Sequence, residues 1–158
     1  MRIAVTGHMN ITEATAELVA DAIREHLETL DTQVTGISCI ARGADSVFAQ
    51  TVLDTGGTLE VILPSANYRQ TKVKPDHAPT FDALLAKAAV IHTMPFPTAN
   101  REAYEAANST MLDNADALVA VWDGQPSPDR GGTAGAVADA HDRGLPVTVI
   151  WPAGAARQ

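Results

Sequence analysis

The chain has 158 residues, a formal net charge of −8 and a single cysteine. That length suits one domain with a core of its own, and the acidic balance argues against a nucleic-acid partner, which calls for a basic face. One cysteine excludes an internal disulfide and a cysteine-ligated metal cluster.

In chain order, Arg2 to Thr6 reads as a first strand running into Gly7-His8. Thr12 is placed to cap a helix whose apolar residues, from Leu18 to Leu30, recur at three and four. Val34 to Ile40 reads as a second strand. Arg42-Gly43-Ala44-Asp45 then leads into a helix stopped by Gly56-Gly57. Leu59 to Leu63 is a third strand, closed by Pro64. Ser65 to Pro79 reads as irregular and locally basic, with Tyr68, Arg69, Lys72, Lys74 and His77, as expected of a lid or binding loop, and Tyr68 to Lys74 is expected to close over a ligand. A short helix from Thr80 to Lys87 and a strand from Ala88 to His92 follow. Asn100 is placed to cap a helix through Asn114 whose inner side carries Ala103, Ala107 and Met111. Ala117 to Trp122 is a fifth strand. A polar turn and Gly131-Gly132-Thr133 lead into a small-residue helix ending at Gly144. Val147 to Trp151 is a sixth strand, and the tail from Ala153 to Gln158 reads as loose.

Short apolar strands alternating with helices predict an α/β fold: a three-layer, Rossmann-like arrangement. It has a mostly parallel sheet of about six strands with helices on both faces, and residues 1–158 form one domain. No apolar run reaches the roughly 20 residues of a membrane helix, and the sequence opens directly on a strand with no signal peptide. A cytoplasmic protein with no membrane partner is therefore expected.

In an open parallel sheet, ligands bind beyond the carboxyl ends of the strands, where the strand order reverses. Gly7 and His8 fall there, as do Arg42, Gly43 and Asp45. So do Asp123 and the run Arg130, Gly131, Gly132, Thr133. The first amides of a helix have no internal partner, and its dipole places positive charge among them. Glycines let a ligand approach that backbone, so the start of the last helix suits a phosphate. The plain alternative is a tight strand-to-helix connection with no ligand. His8 and Arg42 suit a phosphate or ribose, or serve structure alone. Asp123 suits a ribose hydroxyl, or merely starts a turn. The candidates for acid/base work are Glu102, which is equally placed as a surface first-turn glutamate, and Asp123. The five histidines, His8, His26, His77, His92 and His141, lack metal-ligand spacing, so no metal is expected. The P-loop, the GxGxxG fingerprint and the GxSxG elbow are absent.

Thr6-Gly7-His8, Arg42-Gly43-Ala44-Asp45, Leu63-Pro64 and Ala115 through Trp122-Asp123-Gly124 to Arg130-Gly131-Gly132-Thr133, in that order, resemble the SLOG superfamily. That group includes LOG-type proteins and the DNA-processing protein DprA. The resemblance covers nearly the whole chain. It implies a Rossmann-like fold, a nucleotide or nucleotide-derived ligand at the glycine turn, and a dimer. LOG-type enzymes are phosphoribohydrolases with the motif PGGxGTxxE. Laid on this chain, the motif puts Arg130 in place of the proline, Ala134 and Gly135 in place of Gly-Thr, and Ala138 in place of the glutamate. Asp139 is adjacent, on another helix face. The phosphate cradle is matched and the catalytic glutamate is not. Three readings follow: a nucleotide-binding protein, an N-glycosidase or phosphoribohydrolase acting on a nucleoside monophosphate, and a non-catalytic interaction protein.

Overall fold

A computed structural model describes residues 1–126 and 132–158. Its elements are β1 (Arg2–Gly7), α1 (Glu13–Glu28), β2 (Thr35–Ser38), α2 (Ala44–Asp54), β3 (Thr58–Leu63) and α3 (Tyr68–Lys72). They continue with α4 (Ala78–Lys87), β4 (Val90–Thr93), α5 (Arg101–Asp113), β5 (Ala117–Val121), α6 (Thr133–Asp142) and β6 (Val147–Ile150). The six strands form one sheet in the order β4-β3-β2-β1-β5-β6. Every pairing is parallel. The expected α/β architecture is therefore present, with the order reversing between β1 and β5.

Packing separates the two faces. Ile3, Val5, Val119 and Val121 point to one side, where Val19, Ile23 and Leu27 of α1 and Phe48 and Val52 of α2 cover them. Leu59 and Val61 extend that layer under Phe81 and Leu84 of α4. Ala4, Leu118 and Ala120 point to the other side, against Ala107, Met111 and Leu112 of α5 and Val137 and Ala140 of α6. This alternation along each strand is the period-two rule, with both faces buried by helices.

Several local expectations change. The stretch read as irregular holds α3 and the start of α4, because Pro79 sits in the first turn, where a missing amide costs nothing. β4 is an exposed edge strand, not a strand covered on both faces; Val90 is 50% and Ile91 48% exposed. The tail is not loose. Arg157 forms an antiparallel bridge to Ile11. The Thr12 amide donates to the Ala156 carbonyl at 3.3 Å, and the Ala156 amide donates to Thr15 Oγ1 at 2.8 Å.

Candidate functional site

The reversal in strand order opens a cleft of about 1250 Å³ at the carboxyl edge of the sheet. Gly7 and His8 after β1, Asp45 of α2, Glu105 of α5 and residues 132–136 at the start of α6 all line it. Gly132 is the N-cap of α6, with no side-chain cap. The first intrahelical bond there is the Ala136 amide to the Gly132 carbonyl, at 3.2 Å. Among the described residues, the amides of Thr133, Ala134 and Gly135 meet no protein acceptor. Those donors carry the positive end of the α6 dipole into the cleft. Arg130 and Gly131 lie outside the described residues.

Gly7 is a packing requirement as well as a cleft residue. A Cβ there would stand 2.4 Å from Ala44 Cβ and 2.8 Å from Val121 Cβ. Gly43 caps α2 at φ +81°, and a Cβ on it would lie 2.6 Å from the Met9 carbonyl oxygen. Only glycine lets α2 start that close to the β1–α1 loop. The turn just before it is strained: buried, β-branched Ile40 sits at φ +46°. Its amide donates to Ser38 Oγ at 3.0 Å, and His77 Nε2 lies 3.1 Å from its carbonyl oxygen. These bonds hold the turn and thereby place Asp45.

His8 is 8% exposed and clasps β1 to β5. Its Nε2 accepts the Asp123 amide at 3.1 Å and lies 3.2 Å from Asp123 Oδ1. One nitrogen cannot accept from an amide and donate to a carboxylate together. Burial, followed by the charge of Arg157, lowers the His8 pKa below its ordinary value, so the neutral ring accepting the amide is the consistent state. Asp123 Oδ1 also accepts the Gln125 amide at 3.0 Å, and Arg157 lies 3.5 Å from Oδ2. The Gln125 amide, with the charge of Arg157, holds the Asp123 carboxyl below the usual carboxylate range. His8 and Asp123 are thus tied to each other.

Arg42 and Glu102 fall elsewhere. Arg42 pairs with Asp76 at 2.6 Å and faces a separate hollow of about 160 Å³ that also takes Lys72, Lys74 and His77. Glu102 opens α5 but stands outside the cleft lining, which takes Arg101, Tyr104 and Glu105 from that helix. Tyr68, expected in a basic loop closing over the ligand, lines the cleft; so do Tyr104, Cys39, Asp139 and Arg157, which the sequence did not place there. Asp139 had a signal, its position beside the missing glutamate of the LOG-type motif; its Oδ1 accepts from Arg143 Nε at 3.1 Å. Arg157 had none, because only the folded tail brings it there. Cys39 is half-buried rather than fully buried, and burial raises its thiol pKa, which keeps it unreactive.

No family model and no curated protein matches this sequence. Solved structures do. The DNA processing protein A of Streptococcus pneumoniae superposes with a TM-score of 0.69 at 16% identity, over 97% of this chain and 51% of its own. The Helicobacter pylori protein, whose structure concerns single-stranded DNA binding, gives 0.70 at 13%, over 99% and 68%. The Moco carrier protein of Chlamydomonas reinhardtii gives 0.56 at 18%, over 94% and 75%. The chain shares the fold of these three structures. The chain spans about half the length of the first of these neighbours. The shared fold also corrects an expectation: a net charge of −8 does not rule out a nucleic-acid partner, since a protein of this fold binds single-stranded DNA. Net charge averages over the surface and misses a local basic hollow such as that of Arg42, Lys72 and Lys74. Among the described residues, no helix is long and apolar enough to cross a membrane, and no group of three metal-ligating side chains forms.

Proposed function

We propose that the cleft binds a nucleotide or nucleotide-derived phosphate ligand, with the phosphate on the first amides of α6. One observation carries the reading: the amides of Thr133, Ala134 and Gly135 lack protein acceptors among the described residues, and their residues line the cleft. Gly132 lets the ligand approach this backbone, and Arg157 adds a cation at the rim. Thermal-shift screening against nucleoside mono- and diphosphates tests it, because a ligand bound only to the folded state raises the melting temperature by mass action. A short single-stranded oligonucleotide belongs in the same screen, given the DNA-binding neighbour.

Gly132→Asp separates binding from folding. Gly132 has φ −79°, which any residue adopts, and aspartate is a favourable N-cap. The variant keeps or gains stability while an anion occupies the cradle. Nucleotide affinity should fall at least tenfold; unchanged affinity would sink the site. Base release from a nucleoside monophosphate finds less support, since Glu102 lies outside the cleft and Asp123 is held by His8 and Gln125. Incubation with AMP should yield no free adenine, as read by chromatography.

A further inference from the structure

A second group of side chains lines the same cleft and is not used by the phosphate reading. Asp45 comes from the first turn of α2, Tyr68 from α3 and Tyr104 from α5. The Tyr68 and Tyr104 rings lie 6.4 Å apart, nearly edge to face at 77°. Tyr68 is only 6% exposed, yet its hydroxyl meets no hydrogen-bond partner among the described residues. No described side-chain nitrogen or oxygen is sealed away without a partner, so this hydroxyl is reached from solvent, and Tyr68 lines both the cleft and the adjoining hollow. Asp45 is similar. Its Oδ2 receives the Ala41 amide across a long 3.4 Å, and Oδ1 has no partner among the described residues.

The structural alternative for Asp45 is a first-turn carboxylate complementing the α2 dipole. A solvated position would serve that purpose without desolvation. Here burial pushes the Asp45 pKa up to about 7, a cost that a merely capping residue does not have to bear. Burial, with Asp45 next in importance, also raises the Tyr68 pKa, so its phenol stays an O–H donor. Above about pH 7, where Asp45 is ionised, an acceptor and a donor therefore line one cleft, beside an aromatic ring that keeps 41% of its surface open.

We infer that Asp45, Tyr68 and Tyr104 form the base-recognition end of the cleft and select a heterocycle carrying an amino group next to an unprotonated ring nitrogen. The amino N–H donates to Asp45 Oδ1, the Tyr68 hydroxyl donates to the ring nitrogen, and the Tyr104 ring packs against the base. Adenine, cytosine and aminopterins present that edge. Hypoxanthine and uracil present the opposite one, a carbonyl beside a ring N–H, which would set acceptor against acceptor and donor against donor. This inference rests on the phosphate reading above, and its test keeps the two apart.

Binding of ribose 5-phosphate, AMP, IMP, CMP and UMP is measured by calorimetry on the wild-type chain and on Tyr68→Phe. That substitution removes one hydroxyl and leaves the ring on Phe81, so the fold is retained. Ribose 5-phosphate should bind both proteins equally. In at least one of the pairs AMP/IMP and CMP/UMP, the amino member should bind wild type about tenfold tighter than its oxo partner, and Tyr68→Phe should erase most of that preference. Equal or tighter binding of the oxo member in both pairs, or a preference untouched in Tyr68→Phe, overturns the base assignment while leaving the phosphate site standing. Failure of ribose 5-phosphate and every nucleotide to bind removes both.

Discussion

At Asp45, burial of a carboxyl costs stability. Its folded-state pKa, about 7, lies above its ordinary value of 3.8. The stability it contributes is whole below about pH 4 and is lost as pH rises through about 7. Asp45→Asn should therefore gain on wild type more at pH 8 than at pH 5, by on the order of 2–4 kcal/mol before the α2 dipole offsets part of it. Urea unfolding at the two pH values measures the difference. His8 acts in the opposite direction. Its pKa is depressed from 6.5, so its contribution is present above that pH and is lost as pH falls through the lower folded value. Arg157→Gln removes one cause of that depression and should raise the His8 pKa, which NMR titration of the imidazole reads. An unmoved His8 would mean that the tail does not hold Arg157 near Asp123. At Gly7 the argument is steric: Gly7→Ala places a methyl 2.4 Å from Ala44 Cβ, and overpacking of that kind costs about 1–3 kcal/mol in the same unfolding assay.

The helices that build the cleft are begun by local chemistry. Thr12 Oγ1 accepts the Thr15 amide at 3.1 Å, and Asn100 Oδ1 accepts the Ala103 amide at 2.8 Å. Both residues are extended, as an N-cap requires. Asn100→Ala should cost about 1 kcal/mol of stability. It should also weaken nucleotide binding modestly, because α5 carries Tyr104 to the cleft; an unchanged melting temperature would show that the cap is dispensable. α6 departs from this pattern. It starts on Gly132 with no side-chain cap, so its first donors have no internal acceptor from a cap. A helix uncapped where it meets a cleft is the element-scale counterpart of the phosphate proposal. The tail is the opposite case. Nothing in Ala153 to Gln158 has a local preference for structure, yet backbone bonds to Asn10 and Thr12 and a side-chain bond to Thr15 fix it.

At the scale of the whole molecule, the sheet order decides what the residues can do together. The chain leaves β1 for α1 on one face of the sheet and β5 for α6 on the other, and the cleft opens in the gap where the two part. Glycine and small residues at that gap bring α2 and β5 against β1, and α6 aims its amino end into it. The hollow beside this cleft gathers Arg42, Lys72 and Lys74, so a net charge of −8 does not describe every part of the surface.

Periodicity and turn chemistry are local properties, and these the sequence by itself determined: alternating strands and helices, the Thr12 and Asn100 caps, and the apolar faces of α1 and α5. It also marked the strand-end loops around Gly7, Asp45 and Gly132, because parallel topology sends ligands there whatever the detailed geometry. Only the tertiary structure decided which of those loops share a cavity. It moved Arg42 and Glu102 away from the cleft, bound His8 to Asp123, and drew in Tyr104 and Arg157. Those placements depend on contacts between residues far apart in the chain, such as the bridge from Ile11 to Arg157. Such pairings leave no periodic trace in the order of amino acids, since their geometry exists only once the sheet has closed the distance.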